Sequence, residues 1–458
     1  MLFQYARRLC IVVAGALALA DFAACSNPTP LVPPTPPPAT WLLLSDVHFT
    51  PFDDPALVPR LVTAPASGWH AIFATSAKPL SPYFHDTNFA LFESALDAMR
   101  RTAPDPPVVV ISGDFLGHNF PEQFAKLVPH APNAVYQQFV DKTIAFLASE
   151  FDAAYPKAQF LITIGNNDGY CGDYRSTPKS PFLGHMAMAW QPLVNRNGNA
   201  PAFVSQFSLG GYYTARLPLS TTVPAIVLNS VFWSAYYENT CGTAHTDPGR
   251  AELKWLAAQL SDPAMASPLL LTHIPPGIDE YASAKGAKAT PLYKEAYTQQ
   301  LLSTLATKGV RLRAFLIGHI HHATFEVADT AGGQLGAFVI SSISPNQGNN
   351  PAFVSASVQS SDPMLLNTTT YVLSLASIGN GWTPLYSFNT AYGVQGVDAP
   401  SLLRLQSTMA ADSSVRATFF ANYNSASATA TPSPEKWRWY WCGHTNLTPA
   451  PYTQCVGR

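Results

Sequence analysis

The sequence predicts an α/β sandwich followed by a smaller C-terminal subdomain, and three observations predict it. Short apolar runs, most of them ending in a polar cluster, recur between residues 41 and 317. Helical patterns separate several of them. The chain is also long enough, at 458 residues with 47% hydrophobic, to bury one large core or two ordinary ones. The runs Trp41–Leu44, Val108–Ile111, Phe160–Ile164, Ala225–Leu228, Leu269–Leu271 and Ala314–Ile317 read as strands. Helical patterns cover Phe89 to Arg101, Ala134 to Glu150, Ala251 to Leu260 and Tyr293 to Lys308. Strand alternating with helix in this way argues for an α/β fold.

The N-terminus reads as an export leader over residues 1–25. Arg7 and Arg8 precede an apolar run from Leu9 to Ala20, too short for a bilayer and of signal-peptide length. Phe22-Ala23-Ala24-Cys25 resembles a bacterial lipoprotein box, with Cys25 as the lipidated first residue and the lipid as the membrane anchor. That places the protein in a bacterial cell envelope; the alternative is a plain secreted chain. Residues 26–40, "SNPTPLVPPTPPPAT", form a proline-rich tether. A formal net charge of -2 and the lack of any basic block give no sign of nucleic-acid binding.

Beyond the leader, Cys171, Cys241, Cys442 and Cys455 make an even number for an oxidising compartment. Three pairings are open. The short spacing of the last two favours Cys442–Cys455, and with it Cys171–Cys241. A four-cysteine zinc site would want a close Cys-x-x-Cys pair, and there is none.

A main domain is expected over 41–345 and a C-terminal subdomain over 346–458. The "SPNQGNNP" break after Ile343 separates them. Within the second, Tyr371–Ala376 and Leu385–Tyr392 read as strands and Ser401–Asn422 as a helix. Trp437, Trp439 and Trp441 alternate like one face of a strand, with packing as the expected role.

Five strand ends carry metal-ligand residues. Leu44 is followed by Ser-Asp46-Val-His48, and Ile111 by Ser-Gly-Asp114 and then His118. Ile164 leads to Gly165-Asn166-Asn167-Asp168, Leu271 to Thr-His273, and Ile317 to Gly-His319-Ile-His321. Each alone reads as a turn or a hydrogen-bonded pair. Together, in an α/β sheet whose C-terminal strand ends share a crevice, they point to a metal site. Imidazoles mixed with carboxylates suit zinc, iron or manganese, with zinc expected.

This order of motifs, Asp-x-His, Gly-Asp, Gly-Asn, His and Gly-His-x-His, resembles the calcineurin-like metallophosphoesterases over residues 41–344. The resemblance implies a four-layer α/β/β/α sandwich holding two divalent ions. Asp46, His48, Asp114 and His321 would hold one; Asp114, Asn166, His273 and His319 would hold the other, with Asp114 bridging. It implies hydrolysis of a phosphodiester or phosphoanhydride by a metal-bridging hydroxide, since paired ions draw the pKa of bound water from about 15.7 towards ~7. Serine chemistry finds no support, because Gly-x-Ser-x-Gly is absent.

The "GDFLGHN" spacing, the leader and the aromatic, cysteine-bearing C-terminus resemble the acid sphingomyelinase-like branch. There the histidine at the position of His118 serves the leaving group, so His118 is expected as general acid. One departure stands out. Where the superfamily places a phosphate-facing histidine, this chain has Asn167, which donates hydrogen bonds but delivers no proton near neutral pH. The same Gly-Asn-Asn-Asp form resembles fungal endopolyphosphatases and shifts weight towards anhydride substrates. Two alternatives therefore stand beside the diesterase: a polyphosphate or nucleotide phosphoanhydride hydrolase, and a catalytically idle binding lipoprotein. His322 is expected to play a structural part.

Overall fold

A computed structural model describes residues 37–457, apart from 220–222, 240, 242–246, 266, 331–332, 361–363 and 430–431. The expected leader with Cys25 and nearly all of the proline-rich tether lie outside the described residues. Twelve strands are present among the described residues: β1 (Ala39–Leu44), β2 (Val108–Ile111), β3 (Gln159–Ile162), β4 (Tyr213–Leu217), β5 (Val223–Val227) and β6 (Leu269–Leu271), then β7 (Ala314–Ile317), β8 (Thr324–Thr330), β9 (Gly333–Val339), β10 (Ala352–Val358), β11 (Leu365–Leu373) and β12 (Trp382–Ser387). They form two six-stranded sheets, in the orders β12-β11-β10-β1-β2-β3 and β4-β5-β6-β7-β9-β8. All six strands expected from the apolar runs are present. In the first sheet β1, β2 and β3 run parallel, and in the second β5, β6 and β7 do.

These parallel strands are short and almost wholly buried, as parallel strands covered on both faces must be. Alternation along each strand divides its side chains between two cores. Leu269 and Leu271 of β6 join Ala225 and Val227 of β5 in a core shared with first-sheet residues such as Val109 and Phe160. Leu270 and Ile226 point the other way, onto Leu253 and Leu256 of helix Pro248–Gln259 and Leu301 of helix Glu295–Thr307. Helices Phe89–Thr102 and Asn133–Ala154 send Phe92, Leu96, Phe146 and Phe151 into the first-sheet core. The four-layer order α/β/β/α follows.

The boundary expected at residue 345 falls within the first sheet. β10 pairs with β1 along Ala39 to Leu43, and β11 and β12 extend the same sheet. Residues 36–458 form one compact unit.

Four local expectations need correction. The strand expected over Tyr371–Ala376 is the end of β11, which begins at Leu365 and stops at Leu373. That expected over Leu385–Tyr392 is strand only to Ser387, and Phe388–Tyr392 is a helical turn closed by left-handed Gly393. The helix expected over Ser401–Asn422 is two helices, Ala399–Ala411 and Ser413–Tyr423. Asp412 breaks it because its carboxylate caps the second helix through Ser414 N–H, 2.7 Å. The tryptophans lie on a helix, Trp437–Gly443, not a strand. Over so few residues a two-residue alternation does not separate strand from helix, and Trp437 and Trp441, four apart, meet edge to face at 5.8 Å. Their packing role stands: Arg416 sits 4.6 Å over the Trp437 ring, and Trp441 Nε1 donates to Gln406 O.

Both disulfides pair as expected, Cys171–Cys241 and Cys442–Cys455. The second joins the tryptophan helix to helix Pro449–Val456. Closing a loop of 13 residues, it should contribute about 3 kcal/mol. Replacing both Cys442 and Cys455 by serine is expected to lower unfolding stability by that order in urea melts. A loss near zero would mean that packing of the two helices alone holds this end.

Candidate active site

The five strand-end motifs converge on one side of the sandwich. Three of the five segments turn there through strained backbone. Asp46, His48, Asp114, His319 and His321 all have positive φ, between 40° and 73°. Residues with a Cβ adopt this region at a cost, and such strain persists where surrounding structure enforces it, most often at functional sites. Glycine spaces the turns. A Cβ at Gly165 would overlap the Asp114 carboxylate, and one at Gly318 would overlap Ser45 Oγ and Ser112 Oγ.

Asp114 lies at the centre. Its Oδ2 is 3.4 Å from His48 Nε2 and 3.3 Å from His273 Nε2. On the first side, His321 Nε2 is 3.1 Å from His48 Nε2 and 3.6 Å from Asp46 Oδ1. On the second, Asn166 Oδ1 is 3.0 Å from His273 Nε2, and a ring nitrogen of His319 lies within 4.8 Å of Asp114 and His273. All seven ligand candidates are thus brought together.

The outer ring nitrogens reveal what the inner ones are for. His48 Nδ1 meets Leu116 O at 3.1 Å and His273 Nδ1 meets Ser112 O at 2.6 Å. A nitrogen facing a carbonyl carries a proton, so Nε2 is the nitrogen that each ring can offer to an ion at the centre, the tautomer of a metal ligand. Burial, then His118, holds His48 down to about 4, and burial, then His273, holds His319 down to about 3. Burial pushes Asp46 up to about 7. Burial opposes the charge on Asp114, but His273 and His48 outweigh it and hold that carboxyl well below the usual range. Burial opposes charge on His273 too, but Asp114 and Asp46 outweigh it and raise that imidazole to about 9; imidazoles crowded around buried carboxylates are a donor set that fits divalent transition ions.

His118 stands beside this set, its ring stacked on His48 at 4.1 Å. Asp86, which the sequence reading missed, holds it: Oδ1 is 2.7 Å from His118 Nδ1 and Oδ2 accepts His118 N–H at 2.7 Å. Burial opposes protonation of His118, yet the hydrogen bond and charge of Asp86 prevail and raise its pKa.

The Asn166-Asn167 pair divides its work. Asp173 Oδ1 accepts Asn166 Nδ2 at 2.7 Å, and because a carboxylate only accepts, the amide oxygen must face the cluster. Asn167, expected to face phosphate, turns its side chain inward instead. Its Nδ2 donates to Asp114 Oδ2 at 3.0 Å and its backbone N–H to Oδ1 at 2.8 Å. Asp168 accepts from the N–H groups of Phe115, Leu116 and Gly165, tying the Asp114 loop to the Asn166 loop. His322 is buried and stacks on Tyr423 at 4.7 Å, in keeping with a structural part. A cavity opens over the cluster, lined by Asp114, His118, Asn166, His319 and His321 and walled by Asp173, Tyr174, Asp279, Tyr281 and Gln347.

No family model matches the sequence. Curated proteins do. The chain is 23% identical over 407 residues to a human acid sphingomyelinase-like phosphodiesterase 3b, covering 85% of this chain and 83% of that protein. It is 26% identical over 359 residues to sphingomyelinase phosphodiesterase D of Dictyostelium discoideum, covering 75% and 74%. It is 25% identical over 179 residues to an endopolyphosphatase of Cryptococcus neoformans, covering 38% of this chain and 24% of that protein. Motif order, double-sheet architecture and these relatives together make the chain similar to the acid sphingomyelinase-like branch of the calcineurin-like metallophosphoesterases.

Proposed function

We propose that this protein is a binuclear-metal phosphodiesterase. The observation that carries the proposal is the placement of Asp114 Oδ2 within 3.4 Å of imidazoles from two ligand sets. Asp46, His48, Asp114 and His321 would hold one ion, and Asp114, Asn166, His273 and His319 the other, with zinc the expected metal and iron or manganese the alternatives. Bound there, two divalent ions would supply an activated water and neutralise phosphoryl charge. The chain's own groups do the rest. Asp173 and Asn167 orient the ligands Asn166 and Asp114. Asp86 holds His118 protonated, with its other ring nitrogen directed to the cluster, where it donates a proton to the departing alkoxide.

The cavity bears on the rival reading, a polyphosphate or nucleotide anhydride hydrolase. Among the described residues no lysine or arginine lines it, while Asp173 and Asp279 do. A long polyanion would meet carboxylates beyond the metals, where a neutral or cationic substituent would be tolerated. With Asn167 turned onto Asp114, its argument for anhydrides also loses force. The two disulfides support an oxidising, extracellular setting. Attachment through lipidated Cys25 remains the finer proposal, and mass spectrometry of the mature N-terminus decides it: an unmodified N-terminus would exclude the anchor.

Elemental analysis after metal supplementation should find two transition ions per chain, and Asp114→Asn should lose both; a single ion in the wild type would refute the binuclear arrangement. His118→Ala should cut turnover of alkyl esters about 10²–10⁴-fold and that of p-nitrophenyl esters far less, since nitrophenolate departs unaided. Protonated His118 is the active form, so activity falls as pH rises through its raised pKa. Asp86→Asn removes the group that raises this pKa and should move the basic limb of the pH–rate profile to lower pH. An unmoved limb would assign it to another group.

A further inference from the structure

A second cavity lies beside His118 and shares it with the main one; Phe52, Phe84, Asp86, Asn119 and Gln123 line it. Phe84 is its most unusual wall. The side chain is 61% exposed, which is rare for phenylalanine, and its backbone is left-handed at φ 65°. A bulky residue both strained and exposed gains little from burial, so neighbouring structure must be holding it there.

The holder is the Asn-rich segment that follows Ser344. Phe84 N–H donates to Pro345 O at 3.0 Å, and Tyr83 Oη donates to Asn350 Oδ1 at 2.6 Å. Asn346 Nδ2 donates to Asp86 Oδ1 at 3.1 Å. Gly348 lies beneath the ring, where a Cβ would come within 2.7 Å of it. Residues 83–86 and 345–350 thus zip into a ridge. Its base is the Asp86–His118 pair and its crest is the Phe84 ring.

We propose that this second cavity is the leaving-group subsite and that Phe84 is its specificity-determining platform, selecting departing alcohols that carry a flat ring with a polar edge. The inference rests on His118 as the proton donor of the proposed reaction: an alcohol oxygen beside His118 must extend past it, and this cavity lies there. An exposed aromatic face offers stacking, which tolerates any flat ring. The amides of Asn119 and Gln123 and the carboxylates of Asp53 and Asp86 leave little for an alkyl chain to gain.

The test uses metal-loaded protein and three diesters of methyl phosphate, whose second alcohol is methanol, octanol or 2-(adenin-9-yl)ethanol. Their leaving oxygens are all alkyl, so release of the second alcohol reports recognition rather than chemistry. The adenine ester should be preferred over the methyl ester, and Phe84→Ala should reduce that preference about tenfold through KM, with Phe84→Tyr restoring it. Equal losses on all three esters would overturn the subsite. A preference for octanol that Phe84→Ala abolishes would overturn the flat-ring selection. If no ester is cleaved, the phosphodiesterase reading fails, and calorimetric titration with 2-(adenin-9-yl)ethyl methyl phosphate still decides the subsite: binding lost in Phe84→Ala upholds it, and equal or absent binding refutes it.

Discussion

The buried carboxylate of Asp114 is the constraint around which this molecule is arranged. It sits almost wholly out of water, between His48 and His273, and takes two further hydrogen bonds from Asn167. An unpaired charge at such depth would be very costly, so the two imidazoles and the Asn167 donors beside it are needed to offset its burial. That requirement explains the left-handed turns, which bring backbone and side-chain polar groups inward. It also explains why glycine stands at position 165, where any side chain would occupy the carboxylate's own space.

Much of this was legible in the sequence because each ligand is local to a strand end. An apolar run followed by Asp-x-His or Gly-His-x-His carries its meaning within a few residues, and sheet topology brings the runs together. The supporting groups were not legible for the opposite reason. Asp86 meets His118 across 32 positions and Asn346 across 260, and neither belongs to a recognisable local pattern. Asp168 was visible only as the last letter of Gly-Asn-Asn-Asp; its bonds to Phe115 and Leu116 depend on β2 and β3 lying side by side. Asn167 illustrates a different limit. Its identity signalled a change at the site, but only its orientation shows that it serves the bridging carboxylate.

The C-terminal third was the hardest to read. The three tryptophans fit a strand or a helix equally well, and Asp412 ends one helix while capping the next, leaving hydrophobic spacing almost unbroken across the break. Proline, glycine and asparagine between 345 and 351 read as a domain break. In the folded chain the same residues brace Asp86, the partner of His118, so local irregularity here reflects shape required at the site.

The pairing of β1 with β10 has a consequence for how the protein comes to exist. Leu43, just before the first ligand, finds its antiparallel neighbour Val354 only after some three quarters of the chain has been made. Contacts so distant in sequence form late. A nascent or truncated chain would carry Asp46 and His48 on a strand whose other edge is open, with the ridge over His118 still missing. Assembly of the centre is therefore coupled to completion of the fold, and hydrolytic competence arrives last.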